Sequence, residues 1–160
     1  MHDIASQLVL KWARKGPEYK IPVTDDFTRL TLDTIALCAM DFRFNSFYQD
    51  DMHPFVDSMN NVLTAGAARA RLPSLVQKLM LKKNEQIKSD NQYMQKVAME
   101  LVEHRRQNPT DKQDLLNAMI NGKDPNTGKG MRDELIASNM ITFLIAGTCI
   151  WSSLLSDSRY

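Results

Sequence analysis

Few residues of this chain combine a reactive type with a spacing that chemistry needs. His2, His53 and His104 stand apart from one another and from Cys38 and Cys149, so none of the ligand spacings that hold a metal occurs. The expected metal site is none. No Ser-His-Asp set and no paired carboxylates can be picked out, so the expected catalytic residues are none as well. Gly122 to Gly130, GKDPNTGKG, faintly resembles a phosphate loop, but five residues rather than four precede its second glycine. Gly130 also stands where a Ser or Thr should hold the metal, and no strand leads in. A plain turn is expected. Arg69, Arg71, Lys78, Lys82 and Lys83 are soon followed by Glu85, Asp90 and Glu100, the pattern of a solvated helical face rather than a nucleic-acid groove. One feature remains. Within Met140 to Trp151, MITFLIAGTCIW, the only breaks in the apolar run are Thr142, Gly147 and Thr148, and two small residues, Ala146 and Gly147, sit where bulk would be normal. Either another helix crosses closely there, or a flat ligand lies against the backbone.

The elements around this stretch follow from periodicity. A helix apolar all round is buried, and this run is too short for a membrane span of roughly 20 apolar residues. It reads as the central helix of an α-helical core. Asp3 to Lys15 has helical spacing at Ile4, Leu8 and Trp12, stopped by Gly16-Pro17. Thr24 is expected to cap a second helix running to Met40 that buries Phe27, Leu30, Ile35, Leu37 and Cys38. An aromatic-rich connection leads to Pro54, a suitable first helical residue, and to a stripe of Phe55, Met59, Val62 and Leu63. A short helix is expected over Ser74 to Met80. A long polar one follows over Lys82 to Gln107, with Ile87, Met94, Val97, Leu101 and Val102 inside. Another covers Asp111 to Asn121, and the last begins near Met131. No strand pair is expected, so the class is all-α.

Composition agrees. The 160 residues are 43% hydrophobic and 24% charged with net charge +1, enough for one domain with a core and without a general pull toward nucleic acid. Ten methionines suit an adaptable core or pocket wall. Cys38 and Cys149 read as buried thiols, and the N-terminus lacks the basic region of a signal peptide.

Four motifs carry more than periodicity does. TRLTLDTIALCAMDFRFNSFY, DMHPFVDSM, LLNAMINGKDPNTGKG and ITFLIAG resemble, in this order, consecutive pieces of the cytochrome P450 haem domain, closest to the self-sufficient fatty-acid hydroxylases fused to a flavin reductase. The resemblance covers about Asp3 to Gly147. It implies the central part of the P450 fold, ending in the helix that crosses the distal face of the haem. It places Ile145, Ala146 and Gly147 at the cofactor, and Met59 and Leu63 along a fatty-acyl channel, where by spacing alone they read as core residues. The implied cofactor is haem, with FAD, FMN and NADPH in a reductase domain or partner. The implied activity is oxygen insertion into a fatty-acid C–H bond.

The departures are equally specific. After Ala-Gly the family continues with a variable residue, an acid and a Thr that deliver protons during oxygen activation. Here Thr148, Cys149 and Ile150 stand instead. The family's Glu-x-x-Arg motif and cysteine-ligand loop are absent, and neither Cys38 nor Cys149 has that loop's context. The expected organisation is a partial haem domain over 1–147 and a divergent tail over 148–160, which a retained intron or frameshift would explain. The isolated chain is expected to be inert, its central helix short of covering partners. The competing expectation is a non-enzymatic helical lipid-binding or decoy protein. A cytoplasmic location is expected from the soluble relatives.

Overall fold

The computed structural model describes residues 1–48, 51–70 and 81–157, with side chains described to residue 66 in the third helix and between 84 and 148 thereafter. The expected helix at Ser74 to Met80 lies outside the described residues, as do the side chains of Arg69, Arg71, Lys78, Lys82, Lys83, Cys149 and Ile150. Six helices make the described fold: α1 (His2–Lys15), α2 (Val23–Met40), α3 (Pro54–Ala70), α4 (Leu81–Gln107), α5 (Leu115–Asn121) and α6 (Asp133–Asp157). Among the described residues the only β-type pairing is an isolated antiparallel bridge between Lys123 and Gly130. The chain is helix-dominated, as its periodicity predicts.

The long apolar helix α6 is the axis. It packs on α2, α4 and α5, while α3 lies on α4 and α1 on α2. Ile136, Ala137, Met140, Ile141 and Leu144 of α6 are buried in one cluster with Leu32, Ala36, Phe55, Met59, Met94, Val102 and Leu116. Each such side chain contributes roughly 1.5–3 kcal/mol on burial. Among the described residues of α6, to Thr148, the expected lack of cover falls on one face. Leu135 and Phe143 remain 47% and 45% exposed.

Several sequence expectations are corrected. Helix α2 starts at Val23 after Pro22 and has no side-chain cap, so Thr24 lies within its first turn. Its buried face is Asp26, Arg29, Leu32, Asp33, Ala36 and Met40, whereas Phe27, Leu30, Ile35 and Leu37 are half-buried and Cys38 is exposed. The reason lies in partners from elsewhere in the chain. The Asp26 carboxylate accepts from Lys11 Nζ at 2.5 Å and Trp12 Nε1 at 2.7 Å. The Asp33 carboxylate accepts from Ser46 N at 2.9 Å and Ser46 Oγ at 3.0 Å, and Arg29 donates to the Ser46 carbonyl. Buried charges persist when they are paired and hydrogen-bonded, and these hold α1 and the 41–53 connection onto α2. Helix α5 starts at Leu115, not Asp111, because Asp114 is its cap and accepts from Asn117 N at 2.8 Å.

A buried arginine joins three elements. Arg105 near the end of α4 donates to Asp114 Oδ1 at 2.9 Å, to Asn117 Oδ1 at 3.0 Å and to the Met40 carbonyl at 2.9 Å. The last contact sits at the C-terminus of α2, where the helix dipole favours a cation. Fifteen residues earlier on the same helix, Asp90 of α4 accepts from Ser58 and Asn61 of α3, each at 3.2 Å. Two polar anchors thus fix α4, one to α3 and one to α2 and the cap of α5.

Candidate functional site

The site begins with what α6 leaves open. Side chains three and four apart share a helix face, and Leu135, Thr142, Phe143 and Ala146 make such a strip, all exposed. Asn139 lies half-exposed between them, its Nδ2 donating to Met131 Sδ at 3.4 Å. Thr142 spends its hydroxyl on its own helix, donating to the Ser138 carbonyl at 2.9 Å. The middle of the strip therefore presents the Phe143 ring and the Ala146 methyl. A flat apolar group can lie there, with Ala146 leaving room that a larger side chain would fill. Toward an iron ion the strip offers nothing, and among the described residues no three His, Cys, Asp or Glu side chains could hold a metal.

Ile145, Ala146 and Gly147 do not face one way. Successive helical residues are turned by about 100°, and the structure shows the consequence. Ile145 is half-buried against the core. Ala146 is exposed on the open strip. Gly147 faces α2, where an added Cβ would lie 2.1 Å from Ile35 Cδ1 and 3.2 Å from its Cγ1. Of the two physical reasons for small residues, the close crossing applies to Gly147 and the open surface to Ala146. Thr148 points into the protein, 2% exposed, and donates to the Leu144 carbonyl at 2.7 Å. Its hydroxyl is unavailable to anything on the strip.

Met59 and Leu63 are also separated. Met59 is 1% exposed in the core, while Leu63 is half-buried at its edge. Cys38, expected inside, is a free exposed thiol on α2. It lines an open apolar groove of about 620 Å³ with Phe27, Leu30, Ile35, Ala39 and Leu115.

The glycine-rich segment folds as the expected turn. Asp124 Oδ1 accepts from Asn126 N at 2.7 Å and Thr127 N at 2.9 Å, and Gly128 adopts φ +67°. The Thr127 and Asn126 amides hold the Asp124 carboxyl below the usual carboxylate range. Amides that might cradle a phosphate are thus committed to a resident anion.

Sequence reasoning missed Phe143 and Leu135 as parts of the strip, although their spacing from Ala146 was readable. It missed Arg105 and His53 because their partners come from other elements.

The fold is a helical bundle whose central helix keeps an apolar strip beside a small residue. Comparison with known proteins gives the family. The family model for Cytochrome P450 matches residues 1–156, and the chain belongs to that family. It is 59% identical over all 160 residues to a bifunctional cytochrome P450/NADPH–P450 reductase of Aspergillus oryzae, of which it covers 14%. It is 54% identical to a self-sufficient cytochrome P450 monooxygenase of Exserohilum turcicum and 51% identical to one of Phanerodontia chrysosporium, covering 15% of each. The chain thus spans about one seventh of the length of these relatives. The family match passes Gly147 and reaches Ser156, and α6 continues unbroken to Asp157. Among the described residues, no helix is long and apolar enough to cross a membrane.

Proposed function

We propose that this chain forms the distal wall of a haem-thiolate monooxygenase domain acting on fatty acids, with electrons drawn from NADPH through a flavin reductase domain or partner. The supporting observation is the open strip of α6, with Ala146 and Phe143 exposed beside Met140, Ile141 and Leu144 packed into the core. Ala146 is the residue against which one haem face would rest, Phe143 would pack beside it, and Ile145 would support both from the core side. Haem, when bound, supplies the oxygen activation that protein side chains cannot. The chain's own share is shape and exclusion of water. The role of Gly147 is positional: it sets how near α6 lies to α2, and with it the height of the strip.

On the same reading, these 160 residues do not turn over a substrate alone. The thiol of Cys38 lies on the outer surface of α2, and the Thr148 hydroxyl is bonded inside its own helix. Leu63, at the edge of the core, is the more accessible of the two residues proposed to line an acyl channel, and Met59 backs it. A cytoplasmic location fits a chain without a membrane-crossing helix among its described residues.

The test is a segment exchange. The 160 residues replace their counterpart in the Aspergillus oryzae relative, and NADPH-dependent hydroxylation of a saturated fatty acid is measured beside the unexchanged parent. Product is expected, at a rate below the parent's, because the proton-delivering acid and Thr are replaced by Cys149 and Ile150. A folded chimera that binds haem yet yields no hydroxylated product while the parent does would overturn the proposal. A non-enzymatic lipid-binding reading draws on the groove beside Cys38. Binding of a fluorescent fatty acid by the 160-residue chain, lost on filling the groove with Ala39→Trp, would favour it.

A further inference from the structure

The connection between α2 and α3 ends in a histidine that the proposed site does not use. His53 precedes Pro54, the first residue of α3, and occupies the capping position. Its carbonyl accepts from Val56 N at 2.8 Å. Its ring Nδ1 accepts from Phe55 N at 3.2 Å. The first-turn amides of a helix have no intrahelical partners and must find acceptors elsewhere. A ring nitrogen accepts only while it carries no proton, so this contact requires the neutral ring with its proton on Nε2. The ring also meets the Phe44 edge at 4.8 Å between centroids, and Phe44 packs on Phe55 at 5.3 Å. One imidazole therefore joins the helix start to the aromatic corner of the core.

Among the described residues, two charged groups act on the ring. Asp33 of α2 and Asp57 of α3 act on it electrostatically and favour its cation. Within the connection, Ser46 is held by Asp33, and Arg29 of α2 donates to the Ser46 carbonyl. Burial outweighs the two carboxylates and keeps the ring neutral to a lower pH than an ordinary histidine.

We propose that His53 is an acid-sensitive cap of α3. Uptake of a proton at Nδ1 turns the acceptor into a donor facing the Phe55 N–H, and sets a cation at the positive end of a helix dipole. The Phe55 hydrogen bond is lost, and the first turn of α3 opens. No covalent bond changes; the ring gains a proton from solvent and gives up one acceptor contact.

The experiment is NMR of the full 160-residue chain between pH 7.5 and 5. The His53 ring nitrogens report tautomer and protonation, and the Phe55 amide reports the contact. At pH 7.5, Nδ1 should be unprotonated and the Phe55 amide protected. On acidification the amide shift should follow the His53 titration, with its protection factor falling about fivefold, the ratio expected for a helix cap worth about 1 kcal/mol. In His53→Asn, whose side-chain oxygen accepts without titrating, the amide should stay protected throughout. A proton on Nδ1 at pH 7.5 would overturn the proposal. So would a Phe55 amide unprotected at pH 7.5, indifferent to His53 protonation, or still acid-sensitive in His53→Asn.

Discussion

Replacing Gly147 by Ala separates the two reasons a small residue can stand in α6. In an unobstructed helix interior, Ala is favoured over Gly by roughly 0.5–1 kcal/mol. Here the new methyl would lie 2.1 Å from Ile35 Cδ1 and 3.2 Å from Cγ1. The first distance demands movement of a flexible side-chain end, the second a shift of a few tenths of an ångström. Overpacking of this kind costs about 1–3 kcal/mol. The balance predicts that Gly147→Ala destabilises by about 0–2.5 kcal/mol instead of stabilising. Ile35→Val removes Cδ1 at a cost of about 0.5–1.5 kcal/mol, toward the low end because Ile35 is half-buried. The double variant should then be more stable than the sum of the singles by about 1–2 kcal/mol, well beyond the additivity expected of independent sites. Urea unfolding followed by far-UV circular dichroism closes the cycle. Stabilisation by Gly147→Ala alone, with additive energies, would show that α2 does not require the glycine.

Other consequences are as direct. Ala146→Leu, on the open strip, should leave urea stability within about 0.5 kcal/mol, while in the segment-exchanged enzyme it should lower haem content; a stability loss like that of a core residue would mean the strip is covered. Arg105→Met strands a buried carboxylate at Asp114 and should cost about 3–5 kcal/mol in urea unfolding; a loss below about 1 kcal/mol would show that the three-way contact is dispensable. Stability should fall as pH drops below about 6.5, because the unfolded chain protonates His53 at an ordinary value while burial holds the folded ring lower. Asp33 has the opposite sign: burial raises its pKa above 3.8, so proton uptake between that raised value and 3.8 favours the folded state and flattens the slope at low pH. Urea midpoints across pH 8 to 4 check both, and His53→Asn should remove the upper slope. Thr148→His, Cys149→Glu and Ile150→Thr together should raise hydroxylation in the segment-exchanged enzyme and produce none in the 160-residue chain, as product analysis would show.

The helices were readable because each carries local signals. Gly16-Pro17, Pro54 and Gly122 punctuate them, and the apolar run marks α6. The buried face of α2 was not readable. Its inner stripe contains Asp26, Arg29 and Asp33, and partners brought in by folding, Lys11, Trp12, Phe44 and Ser46 among them, make their burial tolerable. Apolar spacing consequently selected Ile35 and Cys38, which face a groove. At the site, the small residues were found, but their division of labour needed the crossing geometry. Ala146 meets solvent and Gly147 meets Ile35, a distinction only 100° of helical rotation makes.

The carbon monoxide difference spectrum of the reduced protein, taken after hemin addition to the 160-residue chain and in parallel on the segment-exchanged Aspergillus oryzae relative, bears most directly on the wall assignment. The chain alone should give no red-shifted thiolate band, since on the proposed reading it supplies one wall of the haem pocket. The exchanged enzyme should give that band at the parent's haem content, with Ala146→Phe diminishing it and Ala39→Phe, in the groove on α2, leaving it intact. A thiolate band from the 160 residues alone would contradict the assignment, as would a folded chimera without one.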